Sequence, residues 1–299
     1  MNRPKIRSLS HNELKLAISS LQSKYPINLV PENHFKIYQE CVNTLGGLFA
    51  EHTAINKEKK RFYFMRVRTA DSFSTQEQVN DPKQYTYKPK SICTDIGRAH
   101  LPHHPVLYAS DSYETAIREI KSPDTDKYLI ALWYTEEINL NRLNFLSATD
   151  IKSKRLLELF DALIRDIDKL YSNYDDYNRD RVKSHVRAWS DLFLSNNYTL
   201  SSTIAHEKLY NTKNPFDIIC YCSAVDSHGI NFAIHPRLAN ELILHKVYSA
   251  KVTGNDIGII QCASVGNEGM LEWRQAKPID LPQNDPFLPT SYDPSYYKK

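Results

Sequence analysis

The sequence predicts an α+β protein of one main domain, with a mixed, largely antiparallel sheet, a helical N-terminal segment and a helical insertion. Short apolar runs typical of strands recur between residues 62 and 263, and the first 60 residues carry apolar residues at helical spacings. A helical region of about residues 150–210 interrupts the strands. Only eight glycines occur, and none belongs to the phosphate-binding loop of a Rossmann or nucleoside triphosphatase fold.

Composition and charge exclude several classes of protein. The formal net charge of the 299 residues is only +3, which gives no electrostatic reason to expect nucleic-acid or anionic-membrane binding. The chain has no run of 18 apolar residues, and Met1–Ser10 lacks the apolar stretch of a signal peptide. We therefore expect a soluble, cytoplasmic protein without nucleic-acid or membrane partners. The sequence leaves the oligomeric state open.

The cysteines are predicted to be buried thiols. Five cysteines are an odd and sparse set for a disulfide scaffold. Cys220 and Cys222 alternate along a predicted strand and do not form a Cys-x-x-Cys pair.

Three histidines lie close together in the sequence, at His100, His103 and His104. Two prolines interrupt this segment, and no fourth ligand with zinc-like spacing is nearby. We therefore predict no metal site there.

The pattern divides the chain into three parts. Residues 1–60 form a predicted segment of two helices separated by prolines. The charged run at residues 56–61 is typical of a solvated turn and marks a boundary. The main domain follows over residues 61–277. Residues 278–299, rich in Pro, Asp, Ser and Tyr, predict a poorly ordered tail.

Residues 62–68 predict an aromatic-rich strand in which Arg66 and Arg68 project from the same face. An arginine in such a strand is uncommon unless an anion meets it. From the strand alone, however, a strand end whose charges reach water is the more common case. Residues 71–95 then predict a long polar loop.

A strand and a capped helix are predicted between Val106 and Ile120. Asp111 can cap the helix and Glu114 can complete a capping box. The apolar stripe of this helix consists of Tyr113, Ala116, Ile117 and Ile120. Glu119 falls on the flank of the stripe, where a helix meets its neighbour and a cleft can form. An isolated glutamate at such a place is more often a solvated edge residue.

The second half of the chain continues the alternation. A buried strand is predicted over residues 128–134. A long amphipathic helix begins at Thr149 or Asp150, and a second helix covers about Val182 to Leu194, so that residues 150–210 form an insertion between strands. Further strands are predicted over residues 217–223, 230–236, 242–250 and 257–263.

Four polar residues lie in or beside these apolar elements, namely Arg66, Tyr108, Glu119 and Ser223. Together with the elements around them, they resemble the RES-domain family, which is named for its Arg, Glu and Ser. The matching motifs cover about residues 60–250 and are, in chain order, Phe64-Met65-Arg66, Gly97-Arg98-Ala99-His100, Val106-Leu107-Tyr108, Thr115-Ala116-Ile117-Arg118-Glu119, Asp217-Ile218-Ile219-Cys220-Tyr221-Cys222-Ser223 and Gly229-Ile230-Asn231-Phe232-Ala233. This chain has His100 where the family usually has Asn, and Cys222 where it usually has Pro. The family's arginine can be aligned with Arg66 or with Arg68.

The resemblance implies a cleft of the ADP-ribosyltransferase kind and an enzyme that degrades NAD as its substrate, without a cofactor. It implies catalytic roles for Glu119, Arg66 and Ser223. As substrate-binding residues we expect Tyr108, Arg98, Arg68 and Asn231. The resemblance also implies a toxin with a partner antitoxin protein.

These residue types suit the reaction. Cleavage of the nicotinamide–ribose bond develops positive charge on the ribose, which the carboxylate of Glu119 can stabilise. A forked guanidinium such as Arg66 suits a pyrophosphate. Tyr108 offers a flat face, the Ser223 hydroxyl can orient the ribose or the amide, and Arg98 can bind phosphate where phosphate replaces water as the nucleophile.

Two classes of function are left open by the sequence. The first is an NAD glycohydrolase or NAD phosphorylase, and the second is a non-catalytic module that binds a nucleotide or a partner and keeps the fold. The presence of all four polar positions favours the enzyme. A serine-hydrolase role for Ser223 is disfavoured because no Gly-x-Ser-x-Gly elbow surrounds it.

Overall fold

The computed structural model describes residues 9–27, 29–45, 59–60, 62–120, 125–135, 138–139, 143–146, 157, 165, 179–211, 215–254 and 256–277. The strands within these residues are β1 (Lys59–Lys60), β2 (Tyr63–Thr69), β3 (Leu107–Ser110), β4 (Lys127–Tyr134), β5 (Ile138–Asn139), β6 (Leu143–Leu146), β7 (Ile218–Cys222), β8 (Ile230–Ile234), β9 (Ile243–Thr253), β10 (Asp256–Val265) and β11 (Leu271–Gln275). The α-helices are α1 (His11–Lys24), α2 (His34–Leu45), α3 (Gln76–Asn80), α4 (Tyr113–Ile120), α5 (Arg179–Leu194), α6 (Tyr198–His206) and α7 (Pro236–Ala239).

Nine of the described strands form a single sheet in the order β11-β10-β9-β4-β2-β3-β8-β7-β6. Neighbouring strands are antiparallel, except that β6 and β7 are parallel. The prediction of an α+β protein with a mixed, largely antiparallel sheet is therefore confirmed.

The sheet consists of two halves that meet between β2 and β3. β2 pairs with β4 over seven positions, whereas the described residues give β2 and β3 only one register pair, Met65 with Ser110. Beyond this pair the two strands separate. The backbone groups of β2 and β3 that would continue the ladder are therefore available to side chains and to a bound molecule.

Each face of the sheet is covered differently. One face carries an apolar core that runs across both halves and includes Phe64 of β2 and Phe232 of β8. On the other face, α4 covers the β2 half through Ala116 and Ile117. Several helices cover the β3 half in a separate cluster. A gap between these two helical layers therefore lies above the division of the sheet.

The N-terminal helices and the insertion pack into one layer. α1 begins at a capping box, in which the Ser10 hydroxyl accepts from the backbone N–H of Glu13 and the Glu13 carboxylate accepts from the backbone N–H of Ser10. Its buried Leu14 and Leu21 share a cluster with Trp189 of α5. The predicted N-terminal segment is thus held against the predicted insertion by apolar contact.

One prediction about an irregular segment is wrong, and another is tested only in part. The predicted polar loop at 71–95 contains α3 and three 3₁₀ turns, because Thr75 caps α3 and Pro82 provides the fixed φ of a first helical turn. Within the charged run at residues 56–61, Lys59 and Lys60 form β1 and pair with β5, and the other four residues lie outside the described residues.

Other predictions fall partly outside the described residues. The helix predicted from Thr149 or Asp150 is described only at Leu157 and Arg165, both helical, and the predicted tail at 278–299 lies outside as well. Strands β6 and β11 were not predicted, and β11 has mostly exposed polar residues that give no apolar run. Within the described part of the chain, no helix has the length and apolar character needed to cross a membrane.

Candidate active site

A cavity of about 370 Å³ lies at the division of the sheet, between α4 and the strands β2 and β3. Its polar lining comes from five of the residues singled out in the sequence together with Ser110 and two tyrosines. The five are Arg66, Arg98, Tyr108, Glu119 and Asn231. Residues up to 165 positions apart in the chain (Asn231 against Arg66) therefore share one cleft.

Glu119 is exposed on α4, and two side chains fix its carboxylate. Ser223 Oγ and Asn231 Nδ2 each donate a hydrogen bond of 2.6 Å to Oε1. Among the described residues, Oε2 has no hydrogen-bond partner. One carboxylate oxygen is thus held, and the other is available to a bound molecule.

Ser223 lies directly after β7 and is buried. Its hydroxyl oxygen accepts from the backbone N–H groups of Val225 (3.2 Å) and Asp226 (3.0 Å). Because these donors occupy the acceptor side of the oxygen, its single proton is directed to Glu119. Ser223 is not among the residues that line the cavity, so its contact is with the carboxylate.

Asn231 is oriented by a serine that the sequence analysis did not single out. Ser110 Oγ donates to Asn231 Oδ1 (2.6 Å), which leaves the Asn231 Nδ2 group to donate to Glu119. Ser110 lies opposite Asn231 in the sheet, and Asn231 lies opposite Tyr221. These three residues form a row across β3, β8 and β7 that faces the cleft.

Arg66 lies where β2 separates from β3. Its Nη1 donates to the main-chain carbonyl of Tyr108 (3.1 Å), and no described residue forms a hydrogen bond with its buried Nε. Burial, with a smaller contribution from the nearby Arg68 charge, lowers the pKa of Arg66 to about 10, so the guanidinium is still charged at neutral pH. Within the described residues it forms no ion pair.

Arg68 is directed away from the cavity. Its Nη1 donates to the carbonyl of Gln84 (2.8 Å), and its guanidinium lies 4.4 Å from the centre of the Phe73 ring. The alternation along β2 does place both arginines on the same face, but only Arg66 lines the cavity. Of the two alignments that the family motif allowed, the geometry favours Arg66.

Arg98 joins the cleft wall to the end of α5. Its Nη1 donates to the carbonyls of Phe193 and Ser195, both at 2.9 Å, where a cation is favoured by the helix dipole. The guanidinium also lies 5.3 Å from the Tyr198 ring. Part of its donor capacity is therefore used within the protein, which limits it as a ligand for free phosphate.

Tyrosines form the aromatic part of the wall. The Tyr108 hydroxyl accepts from the backbone N–H of Ala99 (2.8 Å) and lies 2.9 Å from His100 Nδ1. Burial raises the pKa of Tyr108, so the phenol is neutral at physiological pH. Tyr198 and Tyr221 complete the wall, and both were missed by the sequence analysis. Tyr221 could have been found from its position, because it lies on β7 two residues before Ser223.

The loop after Ser223 is attached to α4. Asp226 Oδ2 accepts from Thr115 Oγ1 (2.9 Å) and from Arg118 Nη1 (3.0 Å). Gly229 passes so close that a Cβ there would lie 2.4 Å from the Thr115 side chain. This contact sets the distance between the helix that carries Glu119 and the strand that ends at Ser223.

The predicted capping of α4 is wrong by one residue. α4 begins at Tyr113, and the Ser112 hydroxyl accepts from the backbone N–H of Thr115 (3.1 Å). Asp111 instead pairs with β8, where its backbone N–H and its carboxylate both bond Ile230. The predicted apolar stripe holds, since Ala116 and Ile117 are buried.

Three potential metal ligands converge beside the cleft. His100 lies near Cys93 and Asp95, with one ligand atom from each within 4.8 Å of the others. In the sequence, His100 stands out as a potential ligand only together with His103 and His104. Among the described residues, those two histidines do not join this group.

A family model described as RES domain matches residues 65–253, which is more than half of the chain. No curated protein and no solved structure matches the chain significantly.

Proposed function

Because the chain belongs to the RES-domain family, we propose that it is an enzyme that consumes NAD by cleaving the bond between nicotinamide and ribose. The observation that carries this proposal is the carboxylate of Glu119, fixed at the cleft through one oxygen and available through the other. The family resemblance suggests the substrate, and the geometry is compatible with the role that we propose for each residue.

The reaction needs a fixed negative charge. When the bond between ribose C1″ and the nicotinamide ring nitrogen breaks, its electron pair goes to the ring nitrogen and nicotinamide leaves as a neutral molecule. Positive charge develops on the ribose, and Glu119 Oε2 stabilises it at the open side of the carboxylate. The nucleophile then forms a bond to C1″ and releases its proton to solvent. No general acid is required, because the leaving group does not need a proton.

The positive charge of Arg66 favours binding of an anion in the cleft. A half-buried guanidinium with no ion-pair partner among the described residues is costly unless an anionic ligand compensates it. A pyrophosphate supplies that charge and can accept from the guanidinium fork. The hydrogen bond to the Tyr108 carbonyl holds the Arg66 side chain at the division of the sheet, where it can contact such a ligand.

The tyrosine wall suits the rings of the substrate. Tyr108, Tyr198 and Tyr221 line the same cavity as Arg66 and Glu119. In NAD the nicotinamide ring is a cationic pyridinium, and the face of a neutral phenol ring attracts such a cation. We assign the tyrosines to binding and Glu119 to the chemical step.

The nucleophile is water or phosphate. Water gives ADP-ribose and nicotinamide, and phosphate gives ADP-ribose 1″-phosphate and nicotinamide. Incubating the purified protein with NAD, with and without phosphate, and identifying the products by mass separates the two reactions. Glu119→Gln is the matched control for contaminating activity. NAD that stays intact under both conditions would overturn the proposed activity and favour a non-catalytic binding module.

The family resemblance extends the proposal to a toxin with an antitoxin partner. We expect expression of the wild-type chain in bacteria to lower cellular NAD and to stop growth, whereas Glu119→Gln does neither. Growth arrest by both proteins at unchanged NAD would contradict a toxin that acts through NAD.

A further inference from the structure

The loop from Cys93 to His103 is closed by backbone hydrogen bonds at two levels. The Cys93 carbonyl accepts from His103 N–H (2.6 Å), and Gly97 and His100 form an antiparallel bridge. Gly97 makes this closure possible, since a Cβ there would lie 2.3 Å from the His100 ring. The closed loop brings the side chains of Cys93, Asp95 and His100 to one side.

The three side chains present a sulfur, a carboxylate oxygen and an imidazole nitrogen to one another. One ligand atom from each lies within 4.8 Å of the other two. Cys93 is 1% exposed and His100 is 9% exposed, whereas Asp95 is open to solvent. Small side-chain rotations suffice to bring such atoms to the distances around a tetrahedral cation.

His100 carries the observation that points to a ligand. Its Nε2 is buried, has no hydrogen-bond partner among the residues that the structure describes, and lies 3.6 Å from Asp95 Oδ1. Buried polar atoms are normally satisfied, and an unsatisfied one costs the desolvation of that group. A cation between Nε2, Oδ1 and the Cys93 sulfur would satisfy all three at once.

The second atoms of two of these ligands already have partners. His100 Nδ1 lies 2.9 Å from the Tyr108 hydroxyl oxygen, and Asp95 Oδ2 lies 3.0 Å from Lys88 Nζ. When Nδ1 carries the proton and donates to Tyr108, Nε2 has its lone pair free for a metal. Metal-binding histidines and carboxylates are typically held by such outer partners.

We propose that Cys93, Asp95 and His100 form a zinc site, with a water molecule as the fourth ligand on the exposed Asp95 side. Thiolate, imidazole and carboxylate are together the ligand set of Zn²⁺, and binding releases the thiol proton to solvent. The site would fix the loop that carries Gly97 and Arg98 into the cleft wall. It does not rest on the proposed activity, because the ligands lie beside the cleft.

The test uses the full-length protein, purified under reducing conditions, with Zn²⁺ and Co²⁺ as probes. We expect about one zinc per chain by elemental analysis, and Co²⁺ to give a thiolate-to-metal charge-transfer band. Cys93→Ser and His100→Gln should weaken zinc binding by at least about tenfold to a hundredfold. Cys262→Ser, a buried cysteine of β10, and His103→Asn, in the same loop, are the matched controls and should keep the wild-type affinity.

A third variant separates the loss of zinc binding from a loss of folding. Asp95→Asn changes an exposed side chain, so it should fold normally and still lose zinc affinity. Zinc should raise the melting temperature of the wild type and of both controls, but not that of Asp95→Asn. Absence of the charge-transfer band in the wild type, or equal zinc affinity of the wild type and Cys93→Ser, would overturn the site. Neither result depends on whether NAD is the substrate.

Discussion

Ser223 donates a hydrogen bond of 2.6 Å from Oγ to Oε1 of Glu119, although 104 positions separate the two residues in the chain. Asn231 donates to the same oxygen at 2.6 Å. The carboxylate is therefore aimed by one side chain after β7 and one on β8, while its own helix packs on the β2 half of the sheet. In the proposed reaction, Ser223 is therefore a positioning residue that acts through Glu119.

We expect Glu119→Gln to lower NAD turnover by at least about a hundredfold while the protein stays folded. The amide keeps the size of the side chain and an oxygen that accepts from Ser223 and Asn231, but it removes the charge that stabilises the ribose. Steady-state NAD consumption and thermal unfolding measure the two effects. Glu77→Gln, on an exposed face of α3, is the matched control and should leave turnover unchanged. Near-normal turnover in Glu119→Gln would exclude Glu119 from the mechanism.

Ser223→Ala should lower kcat by at least about tenfold and change KM little, because the hydroxyl contacts the carboxylate and does not line the cavity. The lost bonds to the following turn should cost about 1 kcal/mol of stability. Ser223→Thr, which keeps a hydroxyl, should recover part of the activity. Ser190→Ala is the matched control, since that buried serine donates to the Val186 carbonyl away from the cleft.

A double variant tests whether Ser223 acts through Glu119. In the Glu119→Gln background, Ser223→Ala should cause little further loss of turnover, because the charge that the hydroxyl aims is already gone. Losses that multiply in the double variant would instead mean that Ser223 acts on the substrate directly.

Arg66→Lys should raise the KM for NAD by at least about tenfold, because an ammonium cannot make the bidentate contact of a guanidinium fork. Arg68→Lys is the matched control, because Arg68 is the neighbouring arginine on the same face of β2. Its guanidinium donates to the Gln84 carbonyl. Arg68→Lys should lower stability with little effect on KM. The reverse result, with Arg68→Lys damaging and Arg66→Lys silent, would show that the proposed anion site is wrong.

Acid should destabilise the protein through His235. Burial, together with the nearby Arg237, lowers the pKa of His235 to about 4. In the unfolded chain the pKa is about 6.5, so the unfolded state takes up a proton between these values and the folded state does not. The stabilisation is complete above about pH 6.5 and is lost as the pH falls towards 4, by about 1–3 kcal/mol.

His235→Asn isolates this effect, because asparagine keeps the acceptor that caps α7 at the backbone N–H of Arg237. The unfolding free energy of this variant should fall less than that of the wild type between pH 7 and pH 4.5. His228→Asn, at an exposed histidine, should follow the wild type. An identical pH dependence in the wild type and His235→Asn would contradict the assignment.

The strands and helices of the core were largely predictable because the local pattern of apolar residues indicates which segments are buried. β2, β4, β7 and β8 lie within one or two residues of their predicted bounds, since apolar runs in this protein are buried in the sheet. β11 was not predictable in this way, because an edge strand with one buried leucine carries no such run. The short helices of residues 70–92 depend on single caps and prolines. These local signals are weak, so the sequence did not distinguish this segment from a loop.

The sequence by itself determined the α+β class, the order of the family's motifs and the position of Glu119 on the flank of α4. Only the tertiary structure decided that Ser223 faces the carboxylate, that Ser110 orients Asn231 and that Arg66, not Arg68, lines the cleft. The reason is that alternation along a strand assigns a residue to a face, whereas contacts between faces depend on which strands are neighbours and where they separate. The cleft lies where β2 and β3 share a single register pair, and the pattern of residues within either strand does not indicate where this pairing ends.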